Sequence, residues 1–349
     1  MINVFKFIFD LLQATELNKQ IILFCENENQ FKKIFQKKLN FLSLVSSKTI
    51  FVIIYKNNLK FRSKNIKVIS INSEFSLRLL FSLINNCIVV TTTPTINKEI
   101  SQKNKFLLTQ HSLGLLENRF IKDNLNYFDF IGVNNDFQYQ HLKRLKNEKN
   151  HSYRIIKEKY YDLDYIFLNN KPARTHELKI ILFASSFYGN SIIKNIKKID
   201  FKKITSKYKI IFRPHPESFK QNHHIQEIYE IKKEIKDEMF EISTNNVKED
   251  ILRSDYLVTD YSGIILSYFL MKKRNYLCLL EKEQDYEELE MNIPTEILKF
   301  GFFDFGYNDI NDLNKLDNSI YKENNINAQK LVDSTFSDYL NDVKYLDLI

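Results

Sequence analysis

Short runs of apolar residues recur along the first half of the chain, each long enough for a buried strand. They are IILFCEN, TIFVIIY, IKVISIN, CIVVTTT, KFLLTQH and FDFIGVN, at 21–27, 49–55, 66–72, 87–93, 105–111 and 128–134. Segments with helical spacing lie between several of these runs, such as FSLRLLFSLI at 75–84. Unbroken apolar strands that alternate with helices are typical of a parallel sheet covered on both faces.

The second half repeats this pattern. Its apolar runs are KIILFASSF, YKIIFRPHP, MFEISTN, DYLVTD and NYLCLLE, at 179–187, 208–216, 239–245, 255–260 and 275–281. Helical spacing appears at 225–236 and at 247–255, and the second of these helices begins after Asn246 with an imperfect capping box that includes Glu249. The stretch 157–178 between the halves is polar and irregular.

This pattern predicts an α/β protein of two Rossmann-like, doubly wound parallel-sheet domains that face a cleft. We place the N-terminal domain at 1–156, the connection at 157–178 and the C-terminal domain at 179–324. A C-terminal helix within 325–349 is expected to pack back on the N-terminal domain.

Composition agrees with a folded protein of this size. The chain has 349 residues, of which 44% are apolar and 27% are charged, values that suit two globular domains. Its net charge of +8 comes without a nucleic-acid-binding motif, so a solvated basic surface is favoured over DNA or RNA binding. Contact with an anionic membrane or with phosphate-rich substrates stays open.

The cysteines, the first residues and the length of the apolar runs indicate the cellular compartment of the protein. Cys25, Cys87 and Cys278 lie far apart, each in or beside an apolar run, which predicts reduced core thiols without disulfides or a zinc site. The first residues lack a secretory leader, and no run of about 18 apolar residues is present. We therefore expect a cytoplasmic protein, with a peripheral position on the inner face of the plasma membrane left open.

Polar residues that follow the apolar strands are candidates for a functional site, because parallel strands gather their carboxyl ends at one edge. His111 follows the run that begins at 105 and is either a general base for a hydroxyl nucleophile or a hydrogen-bonded structural histidine. Arg213 and His215 alternate in the run FRPHP and suit an anion such as a diphosphate. Arg213 pairing with a carboxylate is the alternative.

The hinge TDYSG at 259–263 joins a strand to an apolar helix. Ser262 and Gly263 either cap and start that helix or place a hydroxyl and free N–H groups around a phosphate. Asp260 would repel a phosphate, and we expect it to fix the turn by accepting backbone N–H bonds.

In order along the chain, QHSLG, FRPHP and SDYLVTDYSG resemble the motifs of the CDP-glycerol glycerophosphotransferase family, which makes teichoic acids and capsule polymers. The resemblance covers roughly residues 105–290. It implies a GT-B fold, a cytidine-activated donor that is a substrate, no further cofactor and no metal. By this resemblance His111 is the base, while Arg213, His215, Asp260, Ser262 and Gly263 bind the donor or shape its site, and His215 is also a candidate catalytic residue.

The implied reaction transfers glycerol phosphate, or a related polyol phosphate, to a polysaccharide or lipid-linked acceptor and releases CMP. This chain has His-Ser where the family usually has His-Gly, and Gly263 where the family has a second serine. Two alternatives remain: a CMP-sugar-dependent glycosyltransferase of the sialyltransferase kind, and an inactive carbohydrate- or membrane-binding partner with the same fold. For the transferase, His111, His215 and Ser262 are expected to converge on one cleft.

Overall fold

The chain divides into two compact units in this computed structural model. The structure describes residues 20–26, 31, 35, 50–55, 66–93, 96–110, 124–159, 178–187, 191–220, 222–236, 238–260, 262–272, 276–280, 293–320, 330–331, 334–335 and 339. Of these, the first unit holds 20–110, 124–159 and 339, and the second holds 178–335.

The first unit contains a sheet of seven parallel strands in the order β3-β2-β1-β4-β5-β6-β7. The strands are β1 (Gln20–Cys25), β2 (Ile50–Tyr55), β3 (Ile66–Ile71), β4 (Cys87–Thr91), β5 (Lys105–Leu108), β6 (Phe130–Val133) and β7 (Arg154–Lys157). Its helices are α1 (Glu74–Leu83), α2 (Asp136–Lys149) and a 3₁₀ helix at Asn124–Tyr127.

Apolar packing covers both faces of this sheet. Alternate residues of a strand point to opposite faces. In β1, Ile22 and Phe24 join one hydrophobic cluster, and Leu23 and Cys25 join another. Continuous apolar strands form here because neither face meets water, as the sequence pattern predicted.

The second unit contains six parallel strands in the order β10-β9-β8-β11-β12-β13. The strands are β8 (Ile180–Ala184), β9 (Lys209–Arg213), β10 (Phe240–Ile242), β11 (Tyr256–Thr259), β12 (Tyr276–Leu279) and β13 (Gly301–Phe305). Its helices are α3 (Phe201–Ile204), α4 (Asn222–Lys233), α5 (Val247–Arg253), α6 (Ile264–Lys272), α7 (Thr295–Leu298) and α8 (Leu313–Ile320). Short 3₁₀ helices lie at Ile192–Lys198, Pro216–Lys220 and Asp309–Asn311.

Both sheets therefore confirm the predicted pair of doubly wound domains. In each, the first strand lies beside the fourth, and the strand order reverses at that point. Ligands of such sheets bind at the carboxyl ends of the strands beside this reversal. In the second unit, the reversal lies between β8 and β11, which places the TDYSG hinge at the expected position.

The cysteines, the start of α5 and the lengths of the helices can be compared with the predictions from the sequence. Cys25, Cys87 and Cys278 are buried thiols that form no disulfide, as expected, and burial raises the pKa of the Cys25 thiol. The Asn246 side chain caps α5 by accepting from the Lys248 N–H. None of the helices in the described part of the chain has the length and apolarity to cross a bilayer. Most of 157–178 and of 325–349 lies outside the described residues, so the domain boundaries stay predictions.

Candidate functional site

Asp260 ties the carboxyl ends of β8 and β11 together. It follows β11 directly and is completely buried. Both of its carboxylate oxygens lie 3.0 Å from the Ser186 nitrogen, and Oδ2 also accepts from the Ile192 N–H at 3.0 Å. Ser186 and Ile192 belong to the segment after β8, so Asp260 fixes a neighbouring loop rather than its own turn.

Asp260 is surrounded by backbone groups, and its place among the donor-binding residues stays a prediction. The carboxylate is completely buried, and its oxygens accept N–H bonds from the segment after β8. The prediction that Asp260 accepts backbone N–H bonds is confirmed, but the donors lie in the segment after β8 and not in the turn of Asp260 itself. Desolvation raises the pKa of Asp260 to about 6, and the hydrogen bonds from Ile192, Ser186 and Ser185 oppose that rise.

Further bonds brace the same edge of the sheet. The Thr259 hydroxyl donates to the Ala184 carbonyl at 2.7 Å, and Ser185 Oγ accepts from the Ile193 N–H at 2.9 Å. The Cys278 thiol, on β12, donates to the Asp260 carbonyl at 3.1 Å. The ends of three adjacent strands are thereby held as one rigid edge.

His215 is held beside this edge with a defined tautomer. It comes two residues after β9, and its Nδ1 accepts from the Glu217 N–H at 3.1 Å. Because Nδ1 accepts, the proton of the neutral ring lies on Nε2. The ring stacks on Phe187, with centroids 4.6 Å apart and planes 27° apart. A half-buried imidazole with an Nε2–H donor suits contact with a phosphate oxygen.

Arg213 is bound within the protein. Its Nη1 donates to Asp250 Oδ2 and to the Asn245 carbonyl, each at 2.7 Å. Asp250 is completely buried and also accepts from the Ser243 hydroxyl at 2.6 Å. This is the carboxylate pairing that the sequence left open, and the placement of Arg213 among the donor ligands stays a prediction. The guanidinium fixes β9 to the start of α5.

Ser262 lies at the start of α6, as expected for a capping residue. Its carbonyl accepts from the Ile265 N–H at 3.2 Å, and its hydroxyl lies 3.5 Å from the Ile264 nitrogen. The hydroxyl is only partly buried, and its contact with the helix is long, so it can turn toward a ligand. The exposed Gly263 comes next, and a Cβ there would meet nothing within 4 Å.

The space at Gly263 gives a prediction for the serine that the family usually has there. We expect Gly263→Ser to fold normally and to gain roughly 0.5 kcal/mol of stability, because glycine costs backbone entropy at a helix start. The new hydroxyl should also strengthen phosphate binding. Thermal unfolding and CDP-glycerol titration measure the two effects, with Gly263→Ala as the control for the hydroxyl. A loss of stability in both variants would contradict the open space.

The first unit has a buried polar pair at the end of β5 that the sequence did not reveal. The Thr109 hydroxyl donates to Glu158 Oε2 at 2.6 Å, and both residues are buried. The carboxylate fills the space left by Gly132, where a Cβ would lie 1.7 Å from that oxygen. Glycine inside a strand run was the available signal, since the chain has only six glycines. His111 itself lies outside the described residues.

A comparison with protein-family models supplies the observation that decides the family. The model of the CDP-glycerol:poly(glycerophosphate) glycerophosphotransferases matches residues 8–299 of this chain. The chain belongs to this family. The resemblance of the three motifs is thereby confirmed, and the match also includes residues 8–104, which the motifs did not cover. A comparison with curated proteins found no match.

Solved structures show the fold of this family member. The wall teichoic acid polymerase TagF is 17% identical with a TM-score of 0.55, covering 92% of this chain and 85% of TagF. A TagF variant soaked with CDPG is 16% identical with a TM-score of 0.56, covering 95% and 86%. The α,α-trehalose-phosphate synthase of Burkholderia xenovorans is 8% identical with a TM-score of 0.51, covering 94% and 98%. These likenesses confirm the predicted GT-B fold.

Proposed function

We propose that this member of the glycerophosphotransferase family moves glycerol phosphate from CDP-glycerol to a hydroxyl group of a polymer acceptor and releases CMP. The family match over residues 8–299 is the observation that carries the proposal. The second unit supports it, because His215, Ser262 and the loop held by Asp260 all follow strands at the edge where nucleotide ligands of such sheets bind.

In the proposed reaction, an acceptor hydroxyl attacks the donor phosphorus that bears glycerol. A new P–O bond forms, and the bond from that phosphorus to the bridging oxygen breaks, so CMP leaves with the electron pair. His111 takes the hydroxyl proton, which makes it the general base. The Nε2–H of His215 and the groups at Ser262 and Gly263 hold the donor phosphates. Most of the acceleration comes from positioning and charge stabilisation.

We also propose the class of acceptor and the cellular location of the transfer. The acceptor is a polysaccharide or a lipid-linked polymer, and transfer takes place in the cytoplasm at the inner face of the membrane. The net charge of +8 supports approach to an anionic membrane surface or to phosphate-bearing chains. The cytidine-activated donor is a substrate in this scheme, and the scheme assigns no residue to a metal or a further cofactor.

Measurement of CMP release from two donors tests the proposal. The purified chain is incubated with CDP-glycerol or with CMP-sialic acid, each with a glycerol-phosphate oligomer as acceptor. We expect CMP from CDP-glycerol only, together with acceptor chains lengthened by glycerol phosphate. Release from CMP-sialic acid alone would point to a CMP-sugar glycosyltransferase. Binding of the oligomer without release from either donor would point to a partner protein that has lost catalysis.

A further inference from the structure

We propose that Asp260 is a positioning residue for His215, acting through the loop Ser185–Phe187, so that this buried carboxylate sets the direction in which the imidazole meets the donor. The proposal deepens the proposed function, since it names what prepares the phosphate-binding histidine. It rests on three linked contacts in the second unit.

The first contact is the capture of the loop. Asp260 is completely buried, and its carboxylate has no cationic partner within the part of the chain that the structure describes. A buried carboxylate of this kind is costly unless hydrogen bonds satisfy it. The N–H groups of Ser186 and Ile192 do so at 3.0 Å, with the Ser185 hydroxyl 3.3 Å away. Only an acceptor without hydrogens can take all of these bonds.

The second contact carries the position of the loop to the imidazole. Phe187 follows Ser186 directly. Asp260 accepts from the Ser186 N–H, and the Ser186 carbonyl accepts from the Ser185 hydroxyl at 2.7 Å, so the backbone of residue 186 is held on both sides as it leads into Phe187. The Phe187 ring then stacks on His215 at a centroid distance of 4.6 Å. The third contact, from the Glu217 N–H to Nδ1, sets the rotation of the ring in its own plane. The stacking on Phe187 and the hydrogen bond from Glu217 together define the direction in which the Nε2–H of His215 points.

The strands β8 and β11 do not depend on the Asp260 carboxylate for their pairing. The strands β8 and β11 already pair along four residues, from Tyr256 with Ile181 to Thr259 with Ala184. At the opposite end of β11, a second buried acid, Asp255, accepts from the Ile180 N–H of β8 at 2.9 Å. Asp255 thus joins the same two strands far from His215, which makes it a matched control.

The pH dependence of the positioning of His215 follows from the groups around Asp260. It faces the Ser185 hydroxyl and the Ser186 N–H after β8, the Ile192 N–H of the following 3₁₀ helix, and, at its own carbonyl, the Cys278 thiol of β12. Desolvation raises the pKa of Asp260 to about 6. Below that pH the carboxyl gains a proton, becomes a poorer acceptor and holds the loop less tightly.

This loosening is local. Because the folded-state pKa lies above the ordinary value of 3.8, the folded protein holds the added proton more tightly than the unfolded chain. The stability from this group is therefore full below the ordinary pKa and is lost as the pH rises through 6. Low pH weakens the positioning of His215 without unfolding the unit through Asp260.

The experiment compares Asp260→Asn, Phe187→Leu and the control Asp255→Asn. Nitrogen-15 NMR of the His215 side chain reports the tautomer, and calorimetric titration with CDP-glycerol reports affinity from pH 5 to 8. We expect the wild type to hold the Nε2–H tautomer above pH 6. Asp260→Asn and Phe187→Leu should give mixed tautomers and about tenfold weaker donor binding. Asp255→Asn should keep both the tautomer and the affinity.

An unchanged His215 tautomer in folded Asp260→Asn and Phe187→Leu would overturn the proposal. So would equal losses in Asp260→Asn and Asp255→Asn, which would mean a general effect of a lost buried acid. If Asp260→Asn does not fold, Phe187→Leu decides alone. The NMR arm needs no donor, so a wild type that fails to bind CDP-glycerol would refute the proposed function while the positioning of His215 is still tested.

Discussion

Replacing His111 with alanine is expected to slow glycerol phosphate transfer by about 10²–10⁴-fold, the usual contribution of a positioned general base. The affinity for CDP-glycerol should stay near that of the wild type, since the proposal gives donor binding to His215 and the start of α6. The acceptor hydroxyl would still reach the phosphorus, but its proton would have no acceptor. Single-turnover rates with saturating donor, together with calorimetric donor affinity, separate the two effects.

His141→Ala provides a control for the loss of a histidine from the same unit. His141 lies within the helix α2, and burial lowers its pKa. That variant should keep both the transfer rate and the donor affinity. A His111→Ala protein that transfers as fast as the wild type would remove His111 from the mechanism. Equal losses of rate and donor affinity would make it a structural or donor-binding histidine.

Arg213→Ala is expected to destabilise the second unit by about 3 kcal/mol, because it leaves the buried Asp250 carboxylate without its closest cation. The Arg213 side chain is 17% exposed and Asp250 is 0% exposed, so solvent cannot replace the lost contact. Arg253 is 3.8 Å from the other Asp250 oxygen and gives only partial compensation. Chemical denaturation followed by circular dichroism measures the change.

An exposed ion pair serves as the comparison for Arg213. Arg78 and Glu74 pair on the surface of α1 with side chains that are 64% and 68% exposed. Arg78→Ala should change stability by less than about 0.5 kcal/mol, as is usual for a solvated pair one helical turn apart. If Arg213→Ala instead keeps full stability and loses donor affinity, Arg213 is a donor ligand as the sequence motif suggested.

The sequence predicted those elements whose signal is local. An apolar run of five or six residues can be recognised without its neighbours, and eleven of the thirteen strands in the described residues were predicted in this way. The edge strand β7 was missed because only two isoleucines lie between the exposed Arg154 and Lys157, which is too short for an apolar run. The second strand that was missed, β13, begins with glycine and includes an aspartate, so it also lacks an unbroken apolar run.

Partners distant in sequence account for what could not be predicted at the site. Arg213 and Asp250 are 37 residues apart, and Thr109 and Glu158 are 49 residues apart. Asp260 reaches the loop after β8 across 74 residues. Strand alternation and capping preferences describe neighbours in sequence, so they could name a residue as polar and well placed but could not choose its partner.

The buried position of Tyr339 has a consequence for how the protein is made. This side chain is 1% exposed in the core of the first unit, where Lys157 lies 5.2 Å from its ring centroid. The ribosome releases all seven strands of that unit long before residue 339 is synthesised. The nascent first unit therefore holds an unfilled apolar site throughout synthesis of the second. A premature stop codon shortly before residue 339 should therefore destabilise the first unit, although nearly all of that unit is translated before the second.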